Sequence, residues 1–479
     1  MTALIRSPPP MPVVNDIHSA LNETRVRRIV EVDSVDAVVD AVRGARAEGL
    51  AVSVAGGRHA MGGQQFGTDT VLLDARLLSR ILGFDAATGL LEAEAGILWP
   101  ELIDHYLELQ QSSPRPWGIA QKQTGADRLS LGGTLGANGH GRGLTQKPFV
   151  SDIESFVLVD PGGEVRRCSR RENGDLFRLA AGGYGLFGVV TALTLRLVPR
   201  RKLERVVEIR RMDGLAAAFA ARIRDGFLYG DFQFSIDLES DGFLDEGVFS
   251  CYRPVDPETP IPAGQRELSH DDWRRLLWLA HADKEAAFRR YAEHYRATDG
   301  QIYWSDTHQL SPYIDGYHAE IDARRGGPQA ARGSEMITEI YVPRESLAGF
   351  MAAAAADFRR HETDVIYGTV RLIERDDESF LAWAREPWAC IVLNLCVQHS
   401  AAGIAAAAAA FRRLIDLGLA YGGSYFPTYH RWATREQVEA CHPRCRDFLA
   451  AKREHDPEEV FQSDWYRHHR DLLLRDLVA

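Results

Sequence analysis

The sequence predicts an α+β protein of two domains, and three observations carry that prediction. Length is the first: 479 residues, at roughly 150 per domain, allow two or three units and exclude one ordinary module. The second is a β-α-β pattern near the start, followed by hairpins and single strands as far as residue 200 or so. The third is the region beyond, where strand-like stretches alternate with alanine-rich helices and no internal repeat is visible. With 45% hydrophobic and 26% charged residues the chain has a globular composition, which excludes wholesale disorder.

A proline-rich leader runs to about Pro12, after which Val26 to Val32 alternates with the period of a strand. Asp33 and Ser34 follow as capping candidates. Val35, Val38, Val39 and Val42 then share one helical face, Ala45 continues it, Gly49 is placed to end the helix, and Leu50 to Val54 resumes a strand. Val71 to Asp74 is a further short strand, and Ile81 to Ile97 is a hairpin turning through Asp85 to Gly89. Trp99-Pro100 opens a helix with Leu102, Ile103 and Tyr106 on one side. Asp160-Pro161-Gly162-Gly163 is a turn between strands at 156–159 and 165–168. Val189 to Val198 alternates as another strand, and Pro199 to Lys202 marks a boundary. Further on, 232–236 and 337–343 are strand-like, while 351–358 and 403–417 are alanine-rich and therefore helical.

Charge and cysteine usage narrow the function. Fifty-six basic against 67 acidic residues give a net charge of −11, and without a basic run this excludes binding along a phosphate backbone. No nucleic-acid partner is expected. Six cysteines are dispersed, and the close pair Cys441 and Cys445 has no second pair to complete four ligands, so reduced thiols and no metal site are expected. The N-terminal stretch lacks the apolar segment of a secretory signal, and no window has the roughly 18 apolar residues of a membrane span. A cytoplasmic protein is expected.

Three glycine-rich segments remain to be explained. Gly183-Tyr184-Gly185-Leu186-Phe187-Gly188 matches the dinucleotide pattern G-x-G-x-x-G, but a helical stretch at 175–180 precedes it and a strand follows. A nicotinamide-binding unit needs the reverse order, strand before loop and helix after. The segment Ala55 to Gln64 directly follows a strand, and its glycines allow backbone N–H groups to approach an anion such as a diphosphate. Ser130 to Gly143 carries six glycines in fourteen residues, which argues against a stable helix or strand there and for a loop wrapped closely around a ligand.

These segments resemble the vanillyl-alcohol-oxidase and p-cresol-methylhydroxylase (PCMH-type) superfamily of FAD enzymes, nearest the cytokinin dehydrogenase, aldonolactone and alditol oxidase, and decaprenylphosphoryl-ribose oxidase branches. His59-Ala60-Met61-Gly62-Gly63-Gln64 is similar to the family's His-Ser-x-x-Gly-Gln loop, and Leu131 to Leu135 with Gly183 to Thr191 resembles its second and third FAD-contact stretches. Asp456-Pro457 through Phe461 resembles the C-terminal segment that returns to the flavin domain. The resemblance implies a two-domain FAD-binding PCMH-type fold: a flavin domain over 20–200, a mixed-sheet substrate domain over 201–425, and a segment 426–479 returning to the first.

The resemblance also implies residue roles. FAD would be contacted by Ala55, Gly56, Gly57, Arg58, His59, Ala60, Gly63 and Gln64 in the first loop. From the second it would meet Gly125, Ser130, Gly132, Gly133, Thr134, Gly136, Ala137, Gly139 and His140, with Gly188, Val189, Val190 and Gln462 completing the set. His59 is expected to bond covalently to the flavin; a second bond is not, since 125–145 holds no cysteine. Arg58 stands where relatives commonly have glycine, and Ala60 replaces serine. The activity implied is hydride transfer from a CH–OH group of a small-molecule substrate to flavin N5, with electrons leaving to O2 or another acceptor. CH–NH oxidation, and a flavin-binding scaffold or cyclase, are the alternatives. Thr369 to Asp377 resembles the aldonolactone oxidase strand that carries a catalytic arginine, here Arg371, although Thr369 stands where those relatives have glutamate. His430 or Tyr429 is expected to supply the base, with His140 as an alternative and Glu339 as a weaker one. Tyr303, Trp304, Tyr313 and Tyr317 would either line an apolar pocket or pack in a core. The sequence leaves the oligomeric state open.

Overall fold

The computed structural model of the chain describes residues 11–125, 127–311, 314–326 and 332–474. Tyr313 and part of the proline-rich leader lie outside them. The β-α-β unit forms as its pattern demands. Strands Arg28–Glu31 and Val52–Ala55 flank Val71–Asp74 in a three-stranded parallel sheet, and helix Val35–Ala47 is capped by the Ser34 side chain and buries Val38, Val42 and Ala45. A five-stranded antiparallel sheet follows in the order Val165–Ser169, Ile153–Val159, Val189–Arg196, Leu90–Glu94, Ile81–Asp85. Its central strand, Val189–Arg196, leaves the third glycine segment through Gly188 at φ +148°, and a Cβ there would meet Val159 O at 2.5 Å. Only glycine takes that turn into the sheet without displacing a neighbouring strand.

The region beyond residue 200 is built on one eight-stranded sheet. Its order is Ile302–Trp304, Lys202–Arg211, Glu246–Pro254, Tyr229–Phe234, Val365–Ile373, Trp388–Gln398, Gly333–Pro343, Ser424–Tyr425. Every pairing in it is antiparallel, so the parallel pairs that a mixed sheet carries are confined to the small N-terminal sheet. Helices Leu347–His361 and Ala401–Ala420 pack Phe350, Phe358, Phe411 and Leu414 into the large core. Two further helices, His270–Ala282 and Lys284–Arg296, have no signal in the alanine pattern.

The C-terminal segment pairs with the N-terminal parallel sheet. Val52 N donates to Val460 O at 2.6 Å and Gln462 N to Val52 O at 2.9 Å. The Asp-Pro motif makes this return possible: Asp456 accepts from the backbone N–H groups of Val460 and Phe461, both at 2.9 Å, and pairs with the fully buried Lys452.

The mixed sheet expected beyond residue 200 is thus corrected to an antiparallel one, and the loop expected in the second glycine segment is corrected too. Leu131–Ala137 is an α-helix despite its three glycines. Ser130 caps it, its side chain accepting from Gly133 N, Leu131 and Leu135 are buried, and Asn138 closes it in the left-handed conformation. Tertiary packing outweighs poor helix propensity here. A Cβ on Gly132 would stand 2.9 Å from Ala95 Cβ, so the glycine lets the helix lie directly on the neighbouring chain.

Candidate active site

The large sheet presents one face to a cavity of about 500 Å³, and strand register decides which residues share it. Residues directly opposite each other in a sheet point the same way. Arg371, Cys390 and Tyr341 form one row across three strands; Thr369, Val392 and Glu339 form the next; Tyr367, Asn394 and Ile337 form the third. The alternation that buries Glu339 therefore also carries Glu335, two residues beyond Ile337, onto the same face.

At one end of this face lies a buried polar network. Glu339 has no exposed surface. Its Oε2 accepts from Tyr341 OH and faces His140 Nε2, each at 2.8 Å, and its Oε1 accepts from Tyr429 OH at 2.5 Å. Burial pushes the Glu339 carboxyl upward, but His140, Tyr429 and Arg371 outweigh it and hold the pKa at about 2. The Tyr429 phenol is raised well above its ordinary value by burial and by the Glu339 charge. Arg371 is buried, with Nε and Nη1 making no hydrogen bond within the protein. Burial opposes its charge, but Tyr367, Asp231, Cys390 and Glu339 raise its pKa, so it stands as a cation at the cavity wall. His140, Glu339 and Cys390 come within 4.8 Å of one another, and the hydrogen bonds just named occupy both Glu339 oxygens.

The opposite wall is the glycine cradle. Gly56 and Gly57 of the first loop approach so closely that Cβ atoms there would stand 2.1 Å from Ser130 Oγ and 2.2 Å from Arg128 O. Gly125 and Gly136 look into open space that side chains would fill. Arg58, at φ +59°, holds a left-handed conformation that glycine takes more readily, and its Nη2 pairs with Asp74 at 2.9 Å. His59 is brought to about 3, first by burial, then by His18 and Arg128, so its imidazole is neutral. Backbone donors and cleared space along this wall suit a nucleotide diphosphate and a flat ring system.

Of the sequence-predicted residues, the cavity gathers Gly56, Gly57, Arg58, His59, Ala60 and Gln64 from the first loop, and Arg371 and Tyr429 from the catalytic candidates. From the second and third glycine segments it gathers Gly125, Ser130, Gly132, Gly133, Thr134, Gly136, Ala137, Gly139, Gly188 and Val190. Ala55, Gly63 and Val189 stand behind the wall. Gln462 is turned away, Nε2 donating to Glu459 O and Oε1 accepting from Arg467. His430 is also displaced: it is packed among Phe411, Tyr425 and Trp432 and does not border the cavity. His140 does not border the cavity; it is linked to Tyr429, which does, through Glu339. Glu339 itself points inward, because its strand is covered on both faces. Tyr317 lines the cavity, whereas Tyr303 and Trp304 pack under the Arg205 and Arg200 guanidiniums.

Sequence reasoning missed Glu335, Asn394 and His18, and the helices that supply Trp273, Leu276, Phe288 and Tyr291 to the cavity. The signal for Glu335 was present, since it alternates with Ile337 and Glu339 in one strand.

Residues 26–169 match the family described as FAD binding domain. An uncharacterized oxidoreductase of the fasciation locus of Rhodococcoides fascians is 28% identical over 208 residues, 43% of this chain and 46% of that protein. Rice (Oryza sativa subsp. japonica) mitochondrial L-galactono-1,4-lactone dehydrogenase 1 is 30% identical over 215 residues, 40% of this chain and 32% of that one. Rice cytokinin dehydrogenase 4 is 31% identical over 164 residues, 34% and 29% of the two chains. The chain thus spans less than half the length of these relatives. A solvent-stable cholesterol oxidase structure superposes with a TM-score of 0.70 at 15% identity, over 96% of this chain and 98% of that one, and shares the fold. Residues 26–169 thus form an FAD binding domain, similar in sequence to these oxidoreductases.

Proposed function

We propose that this FAD-dependent oxidoreductase oxidises a CH–OH carbon of a small-molecule substrate and passes the electrons to O2 or another acceptor. The single observation that carries the reading is the pairing, across one sheet face, of the Arg371 cation with the Tyr429–Glu339 hydrogen bond. FAD, when bound, supplies a two-electron acceptor. The residues that would hold it are the glycines at 56–57 and 132–133, with Ser130, Gly136 and Gln64; the neutral His59 imidazole has the nucleophilic form that covalent attachment requires. The domain division at 20–200, 201–425 and 426–479 belongs to the same proposal.

Tyr429 has committed its proton to Glu339 and accepts a long hydrogen bond from Gln123 Nε2 at 3.5 Å, which leaves a lone pair to accept the substrate's hydroxyl proton as the phenol passes its own to Glu339. His140 shares the charge from behind. Arg371 stabilises negative charge developing on the substrate oxygen. The carboxylate missing at Thr369 is supplied from the same row by Glu339, two strands and roughly 10 Å away.

Anaerobic mixing of the holoenzyme with alcohols and amines tests this. Bleaching of the flavin by alcohols is expected, and Tyr429→Phe should slow it by roughly 10²-fold or more. Bleaching by amines alone would move the reading to CH–NH chemistry, and a flavin inert to both classes would leave a scaffold.

A further inference from the structure

A second polar cluster borders the same cavity, away from Arg371 and Tyr429. Glu335 is 1% exposed. Its Oε1 faces His281 Nε2 at 2.9 Å, and its Oε2 accepts from Asn394 Nδ2. Because a carboxylate only accepts, the Asn394 amide must turn its nitrogen to Glu335, which leaves its oxygen as the outward group. That oxygen is buried and has no hydrogen-bond partner, and the same holds for His18 Nε2. Glu335, Asn394 and His18 all border the cavity. Burial opposes the Glu335 charge, but His281, His318 and His18 around it keep the carboxyl below its ordinary value, so the cluster centres on an anion. Its unmatched group of known sense, the Asn394 oxygen, is an acceptor.

A buried acceptor with no donor costs about 1–3 kcal/mol. Such a group on a cavity wall, rather than in a closed core, is satisfied when the cavity is filled. Between this cluster and Arg371 the wall is mostly apolar and aromatic, with Ile337, Val392 and Ile366 from the sheet and Trp273, Leu276 and Phe288 from the helices, and Gln233 and Tyr367 as its polar members. Glu335 and Glu339 are four residues apart on one strand, so roughly 13 Å separates the two polar stations.

Resting on the oxidase reading above, we propose that the Glu335–Asn394–His18 cluster is a distal recognition station. The substrate would then be an elongated apolar alcohol that carries a hydrogen-bond donor, a hydroxyl or amino group, at its end away from the oxidised carbon. The helix pair covers its apolar body, and the distal donor fixes which carbon reaches Tyr429 and Arg371. His281 acts as a positioning residue, holding the Glu335 carboxylate in place.

Binding to the purified holoenzyme, followed by calorimetry, tests the station without turnover. The probes are three matched compounds of equal chain length: an α,ω-diol with its hydroxyls ~10–15 Å apart, matched to the strand spacing, its mono-methyl ether, and the corresponding mono-alcohol. An α,ω-amino alcohol of the same length separates an amino from a hydroxyl donor. The diol or amino alcohol is expected to bind about tenfold more tightly than the ether and the mono-alcohol, the worth of one satisfied buried group. Asn394→Leu and Glu335→Gln should each reduce that preference toward unity. Equal binding of all four compounds by the unsubstituted protein would overturn the proposal, whatever the variants do, as would a preference that survives in both folded variants. The two readings fail separately. A preference without flavin bleaching removes the oxidase reading and leaves the station; bleaching without a preference does the reverse.

Discussion

At the scale of single residues, the site turns on which polar groups the fold leaves without a protein partner. Arg371 is buried as a cation with two of its nitrogens unmatched, an arrangement that stabilises negative charge on a bound group. Arg371→Ala should therefore keep FAD but slow reduction by substrate roughly 10²- to 10³-fold, measured by anaerobic stopped-flow; unchanged kinetics would remove it from the mechanism. Arg371→Lys should recover only part of the rate, because a point charge cannot reproduce a fixed planar fork. His59 makes a separate test. Acid precipitation should leave yellow colour in the pellet of the unsubstituted protein and release it from His59→Ala; colour in the supernatant of both would end the covalent assignment. Arginine and glycine positions of this kind were legible in the sequence because motif spacing marks them. His430 was misplaced because chain proximity to Tyr429 says nothing about direction: it is packed among Phe411, Tyr425 and Trp432 while Tyr429 faces the cavity.

At the scale of elements, the sequence indicated strands by alternation and helices by a single face, and those signals located most of the architecture. They failed where tertiary contact replaces propensity. Leu131–Ala137 has three glycines in seven residues, and glycine costs about 1 kcal/mol per position in a helix. The helix persists because Ser130 caps it, Leu131 and Leu135 anchor it, and Gly132 allows contact with Ala95. Gly132→Ala thus sets two effects against each other: a better helix former, worth about 1 kcal/mol, and a methyl placed 2.9 Å from Ala95 Cβ, which cannot rotate away. The clash should win, with a net loss of about 1–3 kcal/mol in denaturant unfolding and weaker FAD retention. A gain in stability would show that the helix has room to move. The helices His270–Ala282 and Lys284–Arg296 were illegible for a different reason: they are rich in charge, and their few apolar residues find their partners on the distant strands Lys202–Arg211 and Glu246–Pro254 and at the cavity they cover.

At the scale of the whole molecule, the histidines of the returning C-terminal segment make its packing depend on pH. His430 is packed against Phe411, His442 against Tyr425 and His469 against Trp465, with ring centroids 4.4, 4.9 and 4.0 Å apart. Burial is the main cause in each case, and it lowers all three to about 3 from the ordinary 6.5. The folded protein therefore keeps them neutral at pH values where the unfolded chain has protonated them. Below about 6.5 the unfolded state binds more protons, so stability is full above that value and falls as pH drops toward 3. Each such proton contributes a slope of about 1.4 kcal/mol per pH unit, and three together about 4. Glu339 adds to the same direction in a lower window: its pKa of about 2 against an ordinary 4.5 means that its contribution is present above 4.5 and lost between there and 2. The midpoint of thermal unfolding should accordingly be level above pH 7 and fall steeply between pH 6 and 4. The triple substitution of His430, His442 and His469 by glutamine, which cannot titrate, should flatten that limb even if it lowers stability at neutral pH. An acid limb of equal steepness in the triple variant would assign the loss to other groups and show that the C-terminal return does not govern the molecule's acid stability.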